Sequence, residues 1–180
     1  KIAMQGEPEA VMDYYNAMLA DHQNQTVQQI SANDGKVQTI SGTGEACVSA
    51  ISLVDSNGKP LEVVDVGQAV RLQVEVTANA DIQRLVLGYG IKDRLGQVIY
   101  GTNTHHTQQP LLDVKKGDRY LFEIAFPANL GPGTYSIQTA LVSSDTHLLN
   151  NYEWRDLALV FSVVNMNKPY FAGCAWLDPV

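Results

Sequence analysis

The sequence predicts an all-β fold: an antiparallel β-sandwich of eight or nine strands, preceded by a short N-terminal amphipathic helix and a linker. Three observations lead there. Apolar and polar residues alternate over many short runs, turn-forming clusters separate those runs, and only one stretch, near the N-terminus, has helical spacing. With 180 residues, 45% hydrophobic and 17% charged, the chain has the composition of one globular domain with at most an appendage.

The elements follow in order. Glu7-Pro8-Glu9 places a proline and two acids in a first helical turn, where a missing N–H is harmless and the helix dipole favours negative charge. Val11, Tyr14, Tyr15, Met18 and Leu19 then form one apolar stripe, which assigns residues 1–21 to a helical segment. Such a helix is unstable alone and needs a packing partner. The chain opens at Lys1 rather than Met, so a fragment of something longer is expected, its missing part supplying that partner. Residues 22–44 read as a linker, with polar uncharged residues (His22 to Thr26, Gln28-Gln29) and turn-formers (Asn33-Asp34-Gly35, Gly42-Thr43-Gly44). Residues 45–180 read as the sandwich.

From Glu45 the period becomes two. In the first run Ala46 and Val48 change phase to Ile51 and Leu53, which predicts a bulge near Ser49-Ala50. Val70, Leu72, Val74 and Val76 alternate with polar residues; Leu85, Leu87, Tyr89 and Ile91 alternate with Arg84, Val86, Gly88 and Gly90, and Tyr120, Phe122, Ile124 and Phe126 with Leu121, Glu123 and Ala125; Tyr135 to Leu141 and Leu157 to Val163 complete the set. Asp55-Ser56-Asn57-Gly58, Lys116-Gly117-Asp118 and Gly131-Pro132-Gly133 mark turns. A last strand is expected at about 170–177, because Tyr170 to Leu177 is too apolar to float free and an unpaired apolar strand invites aggregation.

Composition excludes several functions. The net charge of −7 argues against duplex nucleic acid and against adsorption to anionic lipid. No apolar run approaches the ~20 residues of a spanning helix. Cys47 and Cys174 make neither a disulfide framework nor a zinc motif and read as small buried hydrophobes. No phosphate loop, zincin motif or nucleophile elbow occurs. Gly88-Tyr89-Gly90 lies inside a strand with no helix after it, so it is no nucleotide loop. His105-His106 would point to opposite faces of a strand, so no metal site is assigned. Glu75 and Glu123 fall on outward strand positions as solvated residues. No catalytic residue, cofactor or metal is expected.

What remains is a polar sheet surface edged by aromatics. Gln73, Gln83 and Gln138 take outward positions beside Gly88 and Gly90, whose missing side chains would leave room for a ligand. Asn103, Thr104, His105, His106, Tyr152, Trp154, Arg155, Tyr170 and Trp176 lie near strand ends or in loops, with Trp154 in a polar one. Amides and arginine hydrogen-bond sugar hydroxyls, and aromatic faces cover the C–H side of a pyranose. The candidate carbohydrate-binding residues are therefore Gln73, Gln83, Gln138, Asn103, His105, Trp154 and Arg155.

Four phrases carry a resemblance: Ile99-Tyr100-Gly101-Thr102-Asn103-Thr104 after Asp93-Arg94-Leu95-Gly96; Gly44-Glu45-Ala46-Cys47-Val48 before Ile51-Ser52-Leu53-Val54-Asp55; Leu130-Gly131-Pro132-Gly133-Thr134-Tyr135; and Phe161-Ser162-Val163. Together they resemble the C-terminal domain of Wzt-type ATPase subunits, which export O-antigen polysaccharide by the ABC-transporter route. Gly6-Glu7-Pro8-Glu9-Ala10-Val11 resembles the end of the ATPase domain in such subunits. The resemblance implies an immunoglobulin-like sandwich that binds finished O-polysaccharide at the cytoplasmic face. It also implies an attached ATPase domain, a membrane-spanning exporter partner at the inner membrane, and a homodimer built partly through the expected last strand, whose sheet edge is either its own domain's or, by exchange, the partner's. It fixes no sugar-contacting residue. Turn chemistry alone accounts for the residue types from Tyr100 to Thr104. Two other functions stay open: a structural module that dimerises or docks the exporter, and a secreted adhesin or accessory domain.

Overall fold

The computed structural model describes residues 4–8, 11–12, 14–15, 26–31, 37–144 and 151–178. Eleven strands are present among them: β1 (Thr26–Ser31), β2 (Val37–Gly42), β3 (Ala46–Val54), β4 (Val63–Asp65), β5 (Ala69–Ala78), β6 (Ile82–Lys92), β7 (Val98–Asn103), β8 (Leu111–Val114), β9 (Arg119–Pro127), β10 (Gly133–Val142) and β11 (Asn151–Val164). They form a sandwich. The larger sheet runs β1-β2-β11-β10-β6-β7, with β4 on β11 and β8 on β6, and the smaller sheet runs β3-β5-β9. Every pair is antiparallel except β4 with β11.

The core is what the period-two pattern demands. Val70, Leu72, Val74 and Val76 of β5 are all fully buried. Opposite them stand Leu85, Leu87 and Ile91 of β6, Ile137 and Leu141 of β10, and Phe161 and Val163 of β11. Each such side chain gains roughly 1.5–3 kcal/mol from leaving water, and together they hold the sheets face to face. The bulge expected near Ser49-Ala50 is there: the β3–β5 register slips between Val48 and Ala50.

Three expectations are corrected. Residues 22–44 are not all linker, since β1 and β2 lie there and β2 joins the larger sheet through Trp154↔Ser41 and Arg155↔Ile40. Gly42 makes that junction possible. A Cβ there would meet the Tyr152 carbonyl at 2.3 Å, so β2 comes nearer to β11 than any side chain permits. With the short β4 and β8, these strands raise the total above eight or nine.

The expected last strand at about 170–177 is absent. That segment is irregular and packs on its own domain. The Gly131 N–H donates to the Cys174 carbonyl at 3.0 Å, and the Trp176 N–H to the Asn129 carbonyl at 3.1 Å. The Trp176 ring is buried against Phe171, centroids 5.1 Å apart. Gly173, at φ +115°, sits in the left-handed region and breaks any regular extension.

Finally, the cysteines are not both buried: Cys47 is half-buried and Cys174 exposed. At the N-terminus, Pro8, Val11, Met12, Tyr14 and Tyr15 have helical backbone, and the Val11 N–H donates to the Glu7 carbonyl. The rest of the expected helix lies outside the described residues.

Candidate functional site

The seven candidate residues do not converge. Gln73 lies on the outer face of the smaller sheet, where its Nε2 donates to Glu123 Oε1 at 2.8 Å. Gln83 is exposed near the start of β6. Three others share the outer face of the larger sheet. Asn103, Gly88, Ala140, Trp154 and Ser41 stand opposite one another on successive strands, and Gln138 lies on the next rung opposite Gly90. The room expected beside Gly90 is already filled. A Cβ on Gly90 would lie 2.9 Å from Gln138 Nε2 and 3.1 Å from its Cγ.

Trp154 and Arg155 are not in a loop but in β11. Trp154 is half-buried, with Lys92 Nζ 5.9 Å from its ring centroid, and Lys92 is itself ion-paired with Asp156 at 3.0 Å. Arg155 points the other way, into the sandwich. Its guanidinium donates to the Val48 carbonyl at 3.0 Å and pairs with Glu153 at 3.0 Å, while Glu153 accepts the Val48 N–H at 3.1 Å. The two side chains thus serve backbone groups of β3, which is an edge strand of the smaller sheet. Arg155 is a structural residue. Tyr152 is also core: it is 6% exposed, and its hydroxyl donates to the Arg84 carbonyl.

The phrase from Tyr100 to Thr104 divides. Asn103 Oδ1 accepts the His106 N–H at 2.9 Å, and Thr104 Oγ1 accepts the Leu87 N–H at 3.0 Å, so these atoms build the turn that ends β7. His105 and His106 stand in this turn, not in a strand, with ring centroids 5.5 Å apart. His105 Nδ1 lies 2.6 Å from the Arg84 guanidinium and is used up there. Among the described residues no three His, Cys, Asp or Glu side chains gather as metal ligands.

The phrase does, however, border a cleft. Where β7 and β9, the free edges of the two sheets, face each other, the sandwich opens into a space of about 450 Å³, within the range of small-ligand sites. Its walls come from both sheets. Tyr89 and Thr102 stand opposite each other on the inner side of β6 and β7, and Tyr120, Phe122 and Ile124 line β9. Asn103, Thr104, Thr107 and Gln109 border it from the β7 turn.

The phenols are held neutral. Burial, reinforced by Tyr100, pushes Tyr89 up to about 12. A hydrogen bond to Asp118, then burial, raises Tyr120. The rings of Tyr89 and Tyr100 lie 6.1 Å apart, and Tyr100 is half exposed.

Of the candidates named from sequence, only Asn103 lines this cleft. Tyr89 and Tyr120 escaped because their alternation matched core positions. The signal that distinguishes them is edge location, which depends on sheet order.

Comparison with known proteins decides the family. The family model described as the Wzt C-terminal domain matches residues 37–177. The chain belongs to the Wzt C-terminal domain family. That membership fits a role in an O-antigen ABC exporter, and the family is a C-terminal domain rather than a catalytic one. The crystal structure of the C-terminal domain of Wzt superposes with a TM-score of 0.69 at 19% identity, over 79% of this chain and 86% of that one. At that identity the likeness shows the fold. Alkylpurine DNA glycosylase AlkC from Pseudomonas fluorescens (13% identity, 67% of this chain, 30% of that one, TM-score 0.41) is too distant to carry an argument. So is beta-glucosidase from Listeria innocua (10% identity, 72% and 16%, TM-score 0.37). No curated protein sequence matches. Among the described residues no helix is long and apolar enough to cross a membrane.

Proposed function

We propose that this Wzt C-terminal domain binds O-antigen polysaccharide, without cleaving it, in the cleft between β7 and β9, and so gives an ABC exporter its substrate specificity. One observation carries the reading: an open cleft of about 450 Å³ that combines tyrosine rings with threonine and glutamine residues. Sugar rings present a C–H face to aromatic rings and hydroxyls to such polar groups. In this reading the domain works at the cytoplasmic face of the inner membrane. It follows an ATPase domain, acts as a homodimer and serves a membrane-spanning exporter subunit.

A second location is favoured by one feature. Trp154 and Asn103 flank a shelf on the outer face of the larger sheet whose floor is only Gly88 and Ala140. Two variants tell them apart by titration with O-polysaccharide. Tyr120→Ala should weaken binding by roughly 1–3 kcal/mol, the value of an aromatic contact, while its melting curve shows the sandwich intact. Trp154→Ala should leave binding unchanged. The opposite pattern moves the site to the shelf, and shortening of the polymer on incubation removes the non-catalytic reading.

A further inference from the structure

The charges around the cleft restrict the glycan that it accepts, an argument that rests on the reading just given. Among the described residues lining the cleft, only Glu123 carries a formal charge, and its carboxylate is turned to the outer face of the smaller sheet, so no charged side chain faces the ligand. Its carboxylate is held by Gln73 at 2.8 Å, with Arg71 at 3.9 Å. A second acid, Asp118, takes the Tyr120 hydroxyl at the rim. The cation beside the β7 turn, Arg84, is directed to His105 Nδ1. Carboxylate and phosphate groups are normally recognised by arginine forks or lysines, and burying such a group without a cation is strongly unfavourable.

The backbone points the same way. β9 ends the smaller sheet, so its far edge presents N–H and C=O groups alternately. A hydroxyl both donates and accepts and can satisfy both kinds. An anionic oxygen accepts only and would leave the carbonyls unmatched. The net charge of −7 adds a repulsive field at longer range.

We infer that the cleft takes polysaccharide segments free of acidic substituents, and that polymers bearing uronate, phosphate or sialate groups along the chain are rejected. The full chain is applied to an array of bacterial O-polysaccharides, half neutral and half acidic, at about 50 and about 500 mM salt, a range over which exposed charges become largely screened. Binding should be confined to neutral polymers and change by less than about twofold with salt, since no ion pair is formed. Retention on an acidic polymer, weakened roughly tenfold or more by salt, overturns the inference and leaves polysaccharide binding standing. Binding to no polymer at either salt overturns the polysaccharide reading and the inference with it.

Discussion

At the scale of single residues, the sequence shows chemistry but not partners. Glu153-Trp154-Arg155 reads as a solvated polar stretch, because two opposite charges flank an aromatic. In the structure the two charges are enclosed, their side chains 6% and 19% exposed. They serve Val48, more than a hundred positions away, and no local pattern encodes a contact of that span. The bulge was legible as a phase change between Val48 and Ile51; the side chains that meet the Val48 backbone were not. Glu153→Ala would strip the Val48 N–H of its acceptor and leave Arg155 unpaired inside the sandwich. Removing one partner of a buried pair costs about 3–5 kcal/mol. Urea unfolding should show that loss, and a change of under about 1 kcal/mol would mean the pair behaves as a surface one.

Among the elements, what was legible is the alternating strands and what was not is the ends of the chain. β5 could be read residue by residue, since its inward positions from Val70 to Val76 are all valine or leucine. β1 and β2 were hidden by composition. Gln28, Gln29, Gln38 and Thr39 suit a linker as well as a strand near a sheet edge. The tail erred in the other direction, because apolarity was taken for extension. It is held instead by particular contacts. Asp65 accepts the Met166 N–H at 2.8 Å, and the Asn167 amide also donates to it. Gly131 lets the tail cross closely, since a Cβ there would stand 2.0 Å from the Gly173 carbonyl oxygen. Gly131→Ala should therefore lift the tail, with Trp176 fluorescence shifting to the red and the tail becoming open to protease, while the sheets stay folded. An unshifted spectrum would show that the tail adapts. Acid should act on the same segment. The Met166 hydrogen bond, first among the causes, holds the Asp65 carboxyl below its ordinary value. Its contribution is therefore present above that ordinary value of 3.8 and lost as pH falls through the lower native one. Asp65→Asn should abolish that acid step in the fluorescence titration.

For the whole molecule, the placement of β11 governs folding. It lies between β10 and β2 and also pairs with β4, so strands from both ends of the chain meet on it. A chain stopped after Met166 keeps β11 and should unfold cooperatively in urea, short only of the tail's contribution. A chain stopped after Ser144 lacks β11 and should show no cooperative transition. A sharp transition in the shorter chain would mean that the smaller sheet with β6 and β10 suffices. Light scattering on the full chain reads the proposed homodimer, and a full-length monomer removes it.

The position of that strand also has a consequence in time. A ribosome releases residues from the N-terminus onward, so β2, β4 and β10 all emerge before the strand that joins them. Until β11 clears the exit tunnel, the open borders of β10, β2 and β4 are available to any neighbouring nascent chain. Pairing across such sequence distances is slow even once the chain is complete. Synthesis rate and crowding on the polysome, rather than final stability, would then set the yield of this domain in cells.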